Sequence, residues 1–371
     1  MNIAVLLTFD QSLVNWKVNG HLDREIFYYK ELYKKYKIKT TFISYGPDSE
    51  NNLISKHKYL NVISVGSKLG FKKSFFFRFV ISFFLFFFIK KDVKNINIIR
   101  TNQLWGSWVL LLFKFLSKKK ILIRCGYEPN QNLELEKGFT SHKLFYFIFS
   151  FISYRLSNHI IVTTLDIKKY IKKKFKLKKK ISVIPNFINI KNFRSYNIKK
   201  IENKILFIGR NSKEKNLLFL LNSIKELDIQ LDILGPGYNL SQIQFLSKKY
   251  KIKINYLGIL PNYRMPKVYN TYNIYVSTSD YEGNPKTILE AMACGCIVIA
   301  RNTQGSNSII LNRNNGYLVN NILQLRKLIT KNIIKRNNKI KINAINYIKK
   351  NHSFDVVSSK EFTILKNLYN E

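Results

Sequence analysis

The sequence predicts an α/β fold in two domains, and three observations predict it. The chain has 371 residues, room for two domains of ordinary size, and 46% of them are apolar. Residues 1–7 (MNIAVLL) read as a short buried strand, followed by a loop, a helix and a second strand. Residues 274–300 repeat that order as an apolar run, a polar tip, a helix and another apolar run.

The first strand carries no cationic leader and no cleavage site, so no secretory signal is expected. A loop with Trp16, Asn19, Gly20 and His21 follows, then a helix over 23–36 and a strand over 40–44. Gly20 is the candidate for close backbone approach to a ligand, because glycine takes unusual backbone angles at no steric cost. Residues 71–90 and 143–155 are rich in phenylalanine and flanked by cations. Aromatic rings on nearly every face imply deep burial or insertion into a lipid interface, and both alternatives stand. The most apolar run, 79–89, is eleven residues between Arg78 and Lys90. A membrane span needs about twenty.

Strands are expected over 96–100 and 120–124, with a helix over 105–116 between them. The second of these ends in Arg124-Cys125-Gly126-Tyr127-Glu128. In a doubly wound sheet the C-terminal strand tips face the ligand crevice, which makes Arg124, Tyr127 and Glu128 candidates for its lining. Residues 160–163 form another strand. The run 168–180 holds nine lysines in thirteen positions, a solvated helix and turn rather than a site. Residues 181–186 (ISVIPN) read as strand and turn, and 187–200 as an interdomain linker.

The second half opens with a strand over 204–208 that runs into Gly209-Arg210, a loop, and Lys215-Asn216 before a helix. Strands over 229–234 and 252–258 and a short helix over 266–272 lead to the stretch around which the chain is organised, 274–319. Its first strand ends in Ser277-Thr278-Ser279-Asp280, then come Glu282 and Gly283-Asn284-Pro285. Proline suits a first helical position because its missing N–H would be unpaired there. The open end of that helix presents free N–H groups and a positive dipole end, an anion site. Glu282 stands at its mouth and Glu290 eight residues further on, inside it. Ala291, Ala293, Cys294 and Gly295 let the next strand, 296–300, pack closely. A strand over 316–319 and a terminal helix over 355–369 complete the chain.

The formal charge of +41 invites a nucleic-acid partner. Its source is mainly lysine beside abundant Asn, Ile and Phe, residues with A/T-rich codons, so genome composition accounts for it and no nucleic acid is expected. Part of the charge still favours anionic lipids or diphosphates. Three cysteines (Cys125, Cys294, Cys296) make neither a disulfide framework nor a zinc pattern, which fits a reducing cytoplasm.

Residues 282–300, EGNPKTILEAMACGCIVIA, resemble the E-x7-E signature of retaining glycosyltransferases of family 4, the bacterial surface-polysaccharide type with the GT-B fold. The resemblance is strong over 204–320 and topological over 1–190. It implies two Rossmann-like domains facing across a cleft: an acceptor-side domain over 1–188, a nucleotide-sugar domain over 201–351, and residues 352–371 crossing back onto the first domain. It assigns Arg210 and Lys215 to the donor's diphosphate and Glu290 to the ribose. Glu282 would hold the donor sugar with the backbone of Gly283, Asn284, Pro285, Lys286 and Thr287. Gly20 and Gly209 would line the donor, and Arg124, Tyr127 and Glu128 the acceptor side. At Asn307 and Ser308 the chain departs from the family's Pro and Glu, so the resemblance implies no base or sugar contact from that helix.

The expected activity is transfer of a sugar from a nucleotide-sugar to a saccharide acceptor, free or, as the hydrophobic cationic segments of the first domain favour, lipid-linked, with retention of anomeric configuration. No Asp-x-Asp occurs, and neither a metal nor a cofactor is expected. The place of action would be the cytoplasm, with peripheral contact to the anionic inner face of the membrane. A nucleotide-sugar epimerase of related fold and a basic nucleic-acid-binding protein are the alternatives. The second leaves the Glu282/Glu290 unit without a purpose.

Overall fold

The computed structural model describes residues 1–70, 74–134, 141–334 and 337–371. The chain divides into two compact units: Met1–Ile184 with Ser358–Glu371, and Pro185–Val357.

The first unit is built on a seven-stranded parallel sheet. Its strands are β1 (Asn2–Leu6), β2 (Lys39–Ser44), β3 (Leu60–Ser64), β4 (Ile98–Thr101), β5 (Lys120–Cys125), β6 (His159–Val162) and β7 (Ile181–Val183), in the order β3-β2-β1-β4-β5-β6-β7. The order reverses between β1 and β4, and β1 pairs in parallel with β2 on one side and, through Ile3–Leu6, with β4 on the other. Central strands of a parallel sheet are covered on both faces, and so they read as unbroken apolar runs. Ile3, Ala4 and Val5 are fully buried. β3 is the strand missing from the sequence reading, since only Val62 and Ile63 stand between polar neighbours there.

The aromatic segments form the helices Phe75–Ser82, Leu85–Ile89 and Ser141–Leu156. Residues 71–73 of the first segment lie outside the described residues. The inward rings interlock: Phe79 meets Phe149 at 6.4 Å and Trp108 at 5.2 Å, and Phe86 meets Phe113 at 5.2 Å. Outward positions are also apolar, with Phe75, Phe76, Phe77, Val80, Phe84, Phe87, Phe88, Leu144, Ile148 and Phe151 exposed. The segments are therefore core on one side and bare hydrocarbon on the other. The helix expected over 105–116 is a 3-10 turn, Ser107–Val109, followed by Leu110–Ser117.

From Ser358 onward the terminal helix Phe354–Asn370 belongs to this unit. Phe362 stacks on Tyr36 at 4.1 Å. Glu361, almost wholly buried, accepts from Tyr28 Oη at 2.6 Å and lies 2.8 Å from Arg100 Nη1.

The second unit holds a six-stranded parallel sheet in the order β10-β9-β8-β11-β12-β13. These strands are β8 (Ile201–Ile208), β9 (Gln230–Leu234), β10 (Lys253–Tyr256), β11 (Tyr272–Ser277), β12 (Ile297–Arg301) and β13 (Tyr317–Val319). Alternation divides each strand between two cores. Ile205, Phe207, Ile274 and Val276 enter one, while Leu206, Tyr275 and Val298 enter the other. Residues 187–200, expected as a linker, are partly core. Phe187, Ile188 and Phe193 are buried, and Ile188 N–H donates to His352 O at 2.7 Å.

Candidate functional site

The order of the second sheet reverses between β8 and β11. The C-terminal ends of such a strand pair form the ligand crevice of this architecture. Gly209 follows β8 there, its N–H donating to Leu234 O at 2.9 Å. A Cβ on Gly235 (φ +139) would stand 2.2 Å from Gly209 O, so only glycine lets the two turns close on each other. A Cβ on Gly209 would press within 3.2 Å of the Lys215 side chain, which runs over it.

Lys215 ends a 3-10 turn, Lys213–Lys215, and Asn216 (φ 44) caps the Leu217–Ile224 helix by accepting from Phe219 N–H at 3.1 Å. The loop after β11 is sewn to this turn. Thr278 Oγ1 donates to Lys215 O at 3.0 Å, Asp280 N–H to Glu214 O at 2.8 Å, and Asn216 Nδ2 to both Asp280 oxygens at 3.0 and 3.1 Å. Those ties bring Lys215 Nζ onto Glu282 Oε1, which also accepts from Ser279 Oγ at 3.0 Å. Both charged side chains keep about a fifth of their surface exposed, so a ligand can reach them.

Arg210 lies on the same loop, two-thirds exposed, donating through Nε and Nη2 to Glu214 Oε1 at 2.8 and 2.5 Å. Burial pushes the Glu214 carboxyl up, but the hydrogen bonds from Arg210 and Ser212 outweigh it and hold the group below its ordinary value.

The helix of the central stretch is Lys286–Ala293, with Pro285 as its N-cap, one position earlier than expected. Proline offers no capping side chain to the first turn. Glu290 is buried on this helix and accepts from Tyr269 Oη at 2.9 Å and Asn262 Nδ2 at 3.3 Å. Tyr275 is fully buried between the two carboxylates. Burial pushes its phenol up, the Thr287 side chain pulls it down by a hydrogen bond, and Glu282 and Glu290 both add to the rise.

The Asn284 side chain ties down the loop whose backbone the resemblance assigns to the donor sugar. It accepts from Asn186 N–H at 2.9 Å and donates to Ser308 Oγ at 3.3 Å, while its carbonyl accepts from Asn186 Nδ2 at 2.6 Å. That amide staples the loop, which leaves the Gly283–Thr287 backbone as the part able to meet a sugar. Ser308, where the family carries Glu, spends its own proton on Gly305 O at 2.7 Å. A Cβ on Gly305 would lie 2.4 Å from Glu282 O, so this glycine seats the catalytic candidate. Gly305, Ser279, Tyr269, Asn262 and Tyr275 were all missed in sequence. Only Gly305 carried a local signal there, as a glycine just after a strand.

In the first unit Gly20 (φ 70) closes the turn after the Leu13–Val18 helix, its N–H donating to Lys17 O at 3.0 Å. Tyr127 is exposed beyond β5, and the mostly buried Arg124 lies 3.9 Å from Glu361. Glu128 needs correction: it is 1% exposed and lines no surface. Its carboxylate accepts from Tyr154 Oη and from Asn130 N–H and Nδ2, at 3.1 and 2.7 Å for the asparagine. Burial raises its pKa, and these bonds offset only part of the rise. Among the described residues no cluster of three or more His, Cys, Asp or Glu could hold a metal ion.

Residues 189–349 match the family model described as Glycosyl transferases group 1, and they lie wholly within the second unit. Over those residues the chain is similar to group 1 glycosyltransferases. An uncharacterised glycosyltransferase of Methanocaldococcus jannaschii is 27% identical over 303 residues, 74% of this chain and 76% of the relative. The Escherichia coli UDP-Gal:α-D-GlcNAc-diphosphoundecaprenol α-1,3-galactosyltransferase is 28% identical over 162 residues, 38% of this chain and 41% of that one. The solved structure of Anabaena HepE in complex with UDP-glucose superposes with a TM-score of 0.75 at 14% identity, covering 99% and 100% of the two chains. The fold is GT-B, two Rossmann-like α/β units. Neither the epimerase nor the nucleic-acid alternative is favoured by these matches.

Proposed function

We propose that this protein is a glycosyltransferase that moves a sugar from a nucleotide-sugar onto a lipid-linked saccharide in cell-surface polysaccharide assembly, with retention at the anomeric carbon and without a metal ion. The observation that carries the reading is the Lys215–Glu282 pair at the open end of the Lys286–Ala293 helix, with Glu290 buried further along it.

In this reading Glu290, aimed by Tyr269 and Asn262, accepts hydrogen bonds from the ribose hydroxyls. Arg210, Lys215 and the first-turn N–H groups receive the diphosphate. An entering diphosphate competes with Glu214 for Arg210 and with Glu282 for Lys215. Glu282 is thereby released to accept from the donor sugar's hydroxyls. The bond from the anomeric carbon to phosphate oxygen breaks with its electron pair staying on that oxygen. The acceptor oxygen bonds to the same face of the carbon, and its proton passes to the departing phosphate oxygen. Negative charge on the diphosphate peaks as the bond breaks, so fixed cations stabilise the transition state more than the ground state.

Two observations support a lipid-borne acceptor. The Escherichia coli relative is named for a diphosphoundecaprenol acceptor. The first unit also bears the exposed aromatic positions of Phe75–Ser82, Leu85–Ile89 and Ser141–Leu156, with exposed Lys90, Lys91 and Arg155 at their ends. Among the described residues no helix is long and apolar enough to cross a membrane. Apolar rings edged by cations suit the headgroup boundary of an anionic leaflet. We infer peripheral attachment to the cytoplasmic leaflet, with Arg124 and Tyr127 on the side that receives the acceptor.

Mass spectrometry of lipid-linked glycans from cells with and without the protein tests the proposal. One lipid-linked saccharide should lengthen by a single sugar only when the protein is present. An unchanged lipid-linked pool would contradict it.

A further inference from the structure

The loop after β1 is gripped by the aromatic helix Phe75–Ser82 as well as by its own sheet. Arg78 Nε donates to Asp10 Oδ1 at 3.1 Å and Nη2 to Asp10 Oδ2 at 2.8 Å, a bidentate pair. Phe9 meets Phe75 edge-on at 5.5 Å and Phe79 at 6.1 Å. From the opposite side Phe9 N–H donates to Trp105 O at 3.3 Å, and a Cβ on Gly106 would stand 2.8 Å from that nitrogen. Asp10 sits at φ 64, a left-handed backbone that a non-glycine residue keeps only when its surroundings hold it. The same helix turns Phe76, Phe77 and Val80 to solvent. One short element therefore shows hydrocarbon outward and clamps the β1 tip inward.

The Asp10–Arg78 pair is only partly shielded, with side-chain exposures of 35% and 18%. An ion pair that water still reaches contributes little to stability. It strengthens when lipid displaces the water around it, because the local dielectric falls. The β1 tip lies at the reversal of the first sheet's strand order, the position where parallel sheets take their ligands.

We propose that Arg78 is a positioning residue through which contact with an anionic bilayer orders the acceptor-side loop, residues 8–12. This rests on the membrane reading above and adds that lipid contact prepares the loop as well as holding the enzyme. When the outward rings of Phe75–Ser82 enter the headgroup boundary, the helix is fixed and the Asp10–Arg78 pair tightens. The loop then takes one conformation at the surface that carries the acceptor.

Hydrogen exchange in residues 8–12 tests this, measured with and without vesicles of phosphatidylglycerol and phosphatidylcholine, beside flotation of the same samples. Asp10→Asn removes the charge while keeping a residue that tolerates the left-handed backbone, and Arg78→Lys keeps the charge without the fork. Circular dichroism establishes that each variant is folded. The wild type should float and show several-fold slower exchange in the loop. Asp10→Asn should float equally and lose that slowing, while Arg78→Lys should retain part of it. Equal slowing in Asp10→Asn, or a floating wild type whose loop does not slow, would overturn the coupling and leave the membrane reading standing. A wild type that never floats would overturn both.

Discussion

Lys215 and Glu282, 67 residues apart in sequence, share a proton-donating contact across two loops at the strand-order reversal of the second sheet. Arg210 differs: it leans on Glu214 of its own loop and is 66% exposed. Both cations are thus aimed by carboxylates, Glu214 and Glu282, which the proposed mechanism has a diphosphate replace. Arg210→Ala should lower turnover by roughly a hundredfold or more, the cost of removing one preorganised charge stabiliser. The fold should survive, since so exposed a side chain is no part of the core. Steady-state rates on a variant with an unchanged circular dichroism spectrum check this, and near-wild-type turnover would remove Arg210 from the site.

Gly305→Ala tests how Glu282 is seated. The added methyl would stand 2.4 Å from Glu282 O, which is backbone and cannot rotate away. The variant should fold, bind nucleoside diphosphate nearly as the wild type does, and transfer sugar at least tenfold more slowly. Equal rates would show that Glu282 need not hold its position so closely.

Glu361 anchors the terminal helix in the first unit between Arg100, Tyr28 and Arg124. Burial alone would lower the Arg100 pKa, but Glu361 and the tyrosines outweigh it and the guanidinium stays charged. Removing one partner of a buried pair leaves the other uncompensated, at a cost of about 3–5 kcal/mol. Glu361→Ala should therefore lower the urea midpoint of the first unit's transition by a clear margin. An unchanged midpoint would show that the helix is held by its apolar contacts, Leu365 and Leu368, alone.

The Glu282–Glu290 stretch was legible as strand tip, loop and helix because its parts are local. Glu282, Pro285 and Glu290 lie within nine residues, between two apolar runs that can only be buried strands. The partners that aim them come from elsewhere in the chain: Tyr269 and Asn262 on Glu290, Lys215 on Glu282, Asn186 on Asn284. No spacing rule announces such pairs. Glu128 was misread for the same reason, since its burial follows from Tyr154 and Asn130 packing over a strand tip. The aromatic segments divided along a helical period, Phe79 and Phe86 inward and Phe76 and Phe87 outward, so neither alternative alone described them.

The central claim is that the two glutamates divide the donor between them. Calorimetric titration of UDP, GDP and ADP into the wild type, Glu290→Gln and Glu282→Gln tests it most directly. Ribose is present before and after transfer, so Glu290→Gln should weaken the preferred nucleoside diphosphate by about tenfold, the loss of one charged hydrogen-bond acceptor. Glu282→Gln should bind that nucleotide as the wild type does and fail only in transfer. Loss of nucleotide binding in Glu282→Gln with none in Glu290→Gln would reverse the assignment, and no binding of any of the three by the wild type would contradict it outright.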